Sequence, residues 1–151
     1  MDTYHGLAEL EAAVGQEIGP TDWFLIDQAR VDGFADDTED HQWIHVDPER
    51  ARETPFGGTI AHGYYTLSLA ARFLEELLHV EGVSIMVNYG LNRLRFPAVM
   101  PVGGRVRMHL RLASVDDIPG GAMLTFEMTF EREGGEKPVC VAEALTCAYG
   151  N

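Results

Sequence analysis

The 151-residue chain is short of positive charge, nearly free of cysteine, and without a long apolar run. Each shortage closes off a class of function. Eleven Lys and Arg stand against 24 Asp and Glu, a formal charge of -13. So negative a chain repels phosphate backbones and acidic headgroups, which argues against broad nucleic-acid binding and against docking on acidic membranes. No stretch approaches the ~20 apolar residues that span a bilayer. Met1-Asp2-Thr3-Tyr4-His5-Gly6 is polar rather than a basic-then-apolar leader, so no membrane association and a cytoplasmic location are expected. Cys140 and Cys147 fall in one strand-like segment without metal-ligand spacing and read as reduced core or strand residues.

Several catalytic signatures are also missing. No Ser or Cys stands in a nucleophile-elbow pattern, and Gly57-Gly58-Thr59 lacks the lysine of a phosphate loop. His41-x-x-x-His45 lacks the adjacent Glu of a zinc-hydrolase helix. A metal site built from His41, His45, His62 and a carboxylate is therefore the weaker reading, and no metal is expected.

What is present fits one domain over residues 1–151, since 46% hydrophobic residues at this length can fill a sizeable core. Leu7, Leu10, Ala13 and Val14 suit a short amphipathic helix stopped at Gly15. Thr21 to Ile26 is strand-like. Asp27 is placed to cap a second helix carrying Val31, Phe34 and Ala35, which should run out in the acidic Asp36-Asp37-Thr38-Glu39-Asp40. Asp47-Pro48 opens a third, short helix. From Ala61, Leu67, Ala70, Ala71, Leu74, Leu77 and Leu78 recur at helical spacing, widened by Leu69 and Phe73. A helix of about five turns, apolar over much of its circumference, should be wrapped by something larger than another helix. Val83–Val87, Leu91–Phe96, Arg105–Val115, Ala122–Arg132 and Pro138–Tyr149 supply strands for that wrapper, with Asn88, Tyr89 and Gly90 as a break or bulge. The class expected is α+β, a curved antiparallel sheet closed around one helix.

The chemistry concentrates in Asp40-His41-Gln42-Trp43-Ile44-His45 and the glycine-rich Gly57-Gly58-Thr59-Ile60-Ala61-His62-Gly63 that follows. Asp40 and His45 lie in a segment without helical or strand periodicity, so a loop can turn both toward one water. Carboxylate and imidazole together can take a proton from that water and deliver it elsewhere. The Gly63 N–H, at the start of the central helix, is suited to a developing oxyanion. His62 reads best as a residue that hydrogen-bonds the loop. Tyr65 and Ser68, three apart, can share a face toward the site or serve as core edges. Arg93, Arg95, Arg105, Arg107 and Arg111 form the densest basic stretch and are either phosphate contacts or solvated strand faces.

Asp40 to Asp47, then Ile60-Ala61-His62-Gly63, then Phe96-Pro97-Ala98-Val99 with Pro101-Val102-Gly103-Gly104, resemble the MaoC-like dehydratases: the hotdog-fold (R)-specific enoyl-CoA hydratases and their nodulation-protein-N-like relatives. The resemblance runs from about Val31 to the C-terminus. It implies a single hotdog fold paired into a homodimer, with Asp40 and His45 as the water-activating dyad. Gly63 would be the donor to the thioester carbonyl, and Ser68 a helix serine near the dyad. It also implies addition of water to a trans-2-enoyl-CoA or acyl-carrier thioester, giving an (R)-3-hydroxyacyl product without metal or redox cofactor, with Arg93 and Arg95 as candidates for the CoA phosphates. One departure stands out. Typical (R)-hydratases carry Asn-Pro between the Asp and the His, where this chain has Gln42-Trp43. Gln42 retains hydrogen-bonding capacity for the loop or substrate, whereas Trp43 is larger and flatter than Pro and bears on acyl-chain preference. Thioester hydrolysis and a non-catalytic acyl-thioester-binding subunit are the alternative expectations.

Overall fold

Alternating apolar residues in the C-terminal half become four long strands. In the computed structural model, which describes residues 1–150, the elements in chain order are β1 (Asp2–Tyr4), α1 (Leu7–Ala12), β2 (Glu17–Ile18), β3 (Phe24–Leu25), α2 (Gln28–Thr38), α3 (Trp43–Val46), α4 (Pro48–Ala51), α5 (Gly63–Ser68), α6 (Ala70–Leu77), β4 (Leu78–Val80), β5 (Val83–Arg95), β6 (Arg105–Ile118), β7 (Gly121–Arg132) and β8 (Cys140–Gly150). The main sheet runs β2-β6-β7-β8-β5, with β3 also pairing β6. All of its pairings are antiparallel, and β1 and β4 form a separate parallel pair.

Period-two patterning decides which face is covered. Val106, Met108, Leu110 and Leu112 of β6 and Leu124, Phe126, Met128 and Phe130 of β7 are buried, with partly exposed residues between them. Tyr65, Leu69, Phe73 and Leu77 of the central helical segment join the same core. Phe73 meets Phe130 at 6.0 Å and Phe24 edge-on at 6.1 Å between ring centroids. Fully buried Phe73 and Phe130 each contribute about 1.5–3 kcal/mol relative to an exposed ring. The arrangement is the hotdog fold, a curved antiparallel sheet around a central helix.

Several local expectations hold because their causes are local. Asp27 accepts a hydrogen bond from the Arg30 N–H at the start of α2, and Asp47 does the same for Arg50 beneath Pro48. Cys140 and Cys147 are buried and unpaired, and burial pushes the Cys140 thiol up to about 12.

Others need correction. The central helix is two helices meeting at Leu69. There the Ser68 hydroxyl bonds the Tyr65 carbonyl at 2.6 Å and the Leu69 N–H reaches only three residues back, to Thr66. A side chain competing for a helical carbonyl in this way interrupts the ladder. Val83–Val87 and Leu91–Phe96 are one continuous strand rather than two, and of the break or bulge expected at Asn88–Gly90 it is the bulge that forms, a register shift against β8. Thr21–Ile26 narrows to Phe24–Leu25, while Thr21 is tied to β6 through both its N–H and its hydroxyl on Met108. The end of α2 is as expected: the helix runs out within the acidic Asp36–Asp40 stretch, with Asp36 and Asp37 in its last turn and Glu39 capping it at a φ of 59°, in the left-handed region.

Candidate active site

Three chain segments converge on Asp40. Left-handed Glu39 turns the chain sharply out of α2, and the next residue is Asp40, whose side chain is 54% exposed. The Gln42 N–H donates to its Oδ1 at 3.4 Å. The next residue, Trp43, begins α3, a single helical turn that carries His45; the segment expected to be an irregular loop is helical there. Its frame is backbone: the Ile60 N–H donates to the Ile44 carbonyl, and the Ala61 N–H to that of Met100.

This frame fixes the chemistry of His45. The ring is buried, and its Nδ1 lies 2.6 Å from the Ile60 carbonyl oxygen. A carbonyl can only accept, so Nδ1 carries the proton and the neutral ring keeps a lone pair on Nε2. Burial lowers the imidazole's affinity for a second proton below the ordinary value of 6.5, reinforced by His62, while the Ile60 carbonyl and Asp40 oppose that shift. The result is a neutral base at neutral pH.

His62 completes the cluster. Its ring stacks on His45 at 3.8 Å between centroids, and its Nε2 donates to the Asp40 backbone carbonyl at 3.0 Å and lies 3.9 Å from the carboxylate. That is the loop-anchoring contact expected of it. Asp40, His45 and His62 each bring one polar atom within 4.8 Å of the others, a separation that a single water can bridge. His41, by contrast, points away onto Asp36 at 2.8 Å.

The remaining candidates disperse. Gly63 opens α5, and a Cβ there would meet the Phe96 ring at 2.9 Å, so the site requires glycine for close approach of Phe96. Ser68 lines a cleft of about 360 Å³ between α5, α6 and the strands β5 and β8, with Tyr64, Leu67, Leu74, Tyr89 and Leu91. Tyr65 does not share that wall. It is buried against Phe34 of α2, and burial raises its phenol above the usual range. The Gln42 side chain is exposed, and the Trp43 ring lies under the Arg50 guanidinium at 4.0 Å.

The arginine stretch divides. Arg105, Arg107 and Arg111 pair with Glu133, Glu131 and Glu127 of β7 or the turn after it, so these three belong to a cross-strand ion-pair ladder. Arg93 and Arg95 border a broad hollow with Asn92, Glu127 and Glu143, and among the described residues neither is paired with a carboxylate.

Two contributors had no signal in the sequence. The Gln28 amide donates to the His45 carbonyl at 2.7 Å and to Asp32 at 2.8 Å, and it accepts from the Thr59 hydroxyl at 2.6 Å, which ties α2, α3 and the glycine-rich turn together. The Ile60 carbonyl is the other, since any residue type supplies one.

Residues 9–126 match the sequence model of the MaoC like domain. The chain belongs to the MaoC-like dehydratases. It is 51% identical to 3-hydroxyacyl-thioester dehydratase Z of Mycobacterium tuberculosis, over 96% of this chain and 97% of that protein. Nodulation protein N of Rhizobium leguminosarum bv. viciae is 43% identical, over 93% of this chain and 89% of that one. Among solved structures, the (R)-hydratase from A. caviae involved in PHA biosynthesis superposes with a TM-score of 0.73 at 26% identity, covering 88% of this chain and 94% of that one. The (R)-hydratase of Pseudomonas aeruginosa superposes at 0.75 and 25%, covering 95% and 85%. The match starts well before Val31, so the MaoC-like character reaches into α1. A MaoC-like dehydratase is a lyase-type enzyme of the hydratase/dehydratase class. Among the described residues no helix is long and apolar enough to cross a membrane.

Proposed function

We propose that this MaoC-like dehydratase, a single hotdog domain across residues 1–151, is an (R)-specific hydratase that interconverts trans-2-enoyl-CoA and (R)-3-hydroxyacyl-CoA through Asp40 and His45. The observation that supports the reading is the hydrogen bond from His45 Nδ1 to the Ile60 carbonyl, which leaves Nε2 unprotonated on a ring with a nitrogen within 4.8 Å of an Asp40 carboxylate oxygen. A water between them gives its proton to His45 Nε2, while the Asp40 carboxylate accepts its second O–H. The oxygen adds to C3 as the C2–C3 π electrons move toward the thioester carbonyl, whose developing charge is met by the Gly63 N–H. His45 then returns the proton to C2. One water is consumed, and both of its parts end on the same face of the substrate.

The chemistry needs no metal or redox cofactor, because acid–base transfer and one backbone donor suffice. The cleft beside Ser68 is suited to the acyl chain, and its apolar lining favours an alkyl group. Arg93 and Arg95 are the candidates for the CoA phosphates, Gln42 for a contact at the mouth of the site, and Tyr65 for support from the core side.

The homodimer reading rests on β5. It is an edge strand, exposed along almost all of its length, with Ile85, Val87, Tyr89 and Leu91 bare on it. A long apolar edge in water is a strand awaiting a partner, and two-fold pairing closes it.

The test is absorbance in the enoyl-thioester band with crotonyl-CoA and a longer trans-2-enoyl-CoA, wild type beside Asp40→Asn. Loss of the band in wild type alone, without release of free thiol, is the expected result. Thiol release would replace hydration with thioester hydrolysis, and saturable binding without turnover would leave a binding subunit.

A further inference from the structure

One buried polar group has no part in the proton transfer just described. His62 is 3% exposed, on the link between the glycine-rich turn and α5. Its Nε2–H is spent on the Asp40 carbonyl at 3.0 Å, so its Nδ1 carries a lone pair. That atom is buried and, among the described residues, has no hydrogen-bond partner. The ring lies nearly flat on His45, with 24° between the planes, and Phe34 of α2 closes on it at 4.9 Å. A buried nitrogen without a partner destabilises the fold relative to an apolar side chain of the same shape. Loop anchoring alone does not require it, since an amide donor would hold the same carbonyl.

Resting on the hydratase reading above, we infer that His62 is a positioning residue for the Asp40/His45 pair, holding the Asp40 segment by its carbonyl while its ring braces and shields His45. Two catalytic groups come from different elements, Asp40 from the end of α2 and His45 from α3. His62 is the side chain that touches both. Through Asp40 it sets where the carboxylate meets the water. Through the stack it denies the His45 ring room to tilt and excludes solvent from one face.

The charged and titratable groups that meet these rings are few. Asp40 lies 3.9 Å from His62 Nε2. The α2 side supplies the uncharged Phe34, with Tyr65 of α5 behind it, and the turn supplies only the Ile60 carbonyl. Burial is the leading cause that keeps a second proton off His45, and the neighbouring His62 adds to it. Removing the imidazole therefore makes His45 easier to protonate.

The experiment compares wild type, His62→Gln and His62→Leu in steady-state hydration of crotonyl-CoA and in an NMR titration of 13C-labelled histidine, with the His45 signal identified by its absence in His45→Asn. Gln retains a donor near the Nε2 position, so His62→Gln should keep KM within about twofold while kcat falls about tenfold; His62→Leu should lose about 10²-fold in kcat. The His45 titration midpoint should rise in His62→Gln. An unmoved midpoint with unchanged kcat overturns the inference, and so does a change confined to KM. If His62→Leu does not fold, the Gln variant decides by the same two readouts. If wild type hydrates no enoyl thioester, the functional reading fails by itself, and the His45 midpoint still decides whether His62 governs that ring.

Discussion

His45 donates its Nδ1–H to the carbonyl oxygen of Ile60 at 2.6 Å, fifteen residues along the chain. The bond ties α3 to the turn that leads into α5, so the orientation of the base and the start of the central helix are set by one contact. It also dictates which conservative substitution isolates chemistry from folding. Asn places an amide nitrogen near the Nδ1 position; Ala places nothing there.

His45→Asn should thus retain the fold and lose about 10²–10⁴ in kcat for enoyl-thioester hydration. Asp40→Asn should lose a similar factor, and because Asp40 is half exposed its melting temperature should stay close to wild type. Circular dichroism beside the absorbance assay separates the two effects. Substantial activity in either variant would break the assignment of the pair.

The pH dependence follows from the lowered proton affinity of His45. The unfolded chain protonates this imidazole near its ordinary 6.5, while the folded chain resists until lower pH because the ring is buried. Its contribution is therefore neutral above 6.5 and destabilising as pH falls through that value. Urea melts should show a declining midpoint from pH 7 to 5, and the fall should be smaller in His45→Asn. The acid limb of kcat/KM should have its midpoint below 6.5.

Gly63→Ala tests the close approach of Phe96. An added Cβ would come within 2.9 Å of the ring, which must move. Displacing either the ring or the start of α5 should cost about 10²-fold in activity, as a misplacement near 1 Å commonly does. Phe96→Leu in the same chain should recover part of the loss. Equal kcat/KM for Gly63→Ala and wild type would remove Gly63 from the site.

Gly121→Ala addresses stability alone. A Cβ there would fall 2.0 Å from the Ala148 carbonyl oxygen, a backbone atom in the β7–β8 ladder that cannot swing away. The expected loss is about 1–3 kcal/mol, or a few degrees in melting temperature for a chain of this size. Thermal melts of the two proteins read it directly.

The sequence made local causes legible and left distant ones dark. Asp27 and Asp47 announce helix starts because a cap acts within three residues. Apolar alternation placed β6, β7 and β8 to within a few residues for the same reason. The Asp40/His45 pair was visible from residue type and spacing, and the family resemblance from three short motifs. Cross-strand register was not. Whether Arg107 faces a CoA phosphate or Glu131 depends on how two strands slide past each other, and the answer is a 2.7 Å ion pair. The split at Leu69 depended on Ser68 choosing a backbone carbonyl over solvent. Tyr65 and Ser68 look equivalent by spacing, yet one enters the core and the other a cleft. Gln28 was invisible because two of its three partners, the His45 carbonyl and the Thr59 hydroxyl, come from distant segments.

The bare edge of β5 has a consequence for heredity as well as for assembly. Under two-fold pairing, each residue i of that strand faces a residue j of the copy and j faces i in return, so one nucleotide change alters the junction twice. Improvements and injuries there are both doubled. A new acidic residue near the axis confronts its own image, and no second mutation on a separate gene can answer it. Such a strand is expected to drift slowly, and to change in compensating pairs within a single chain.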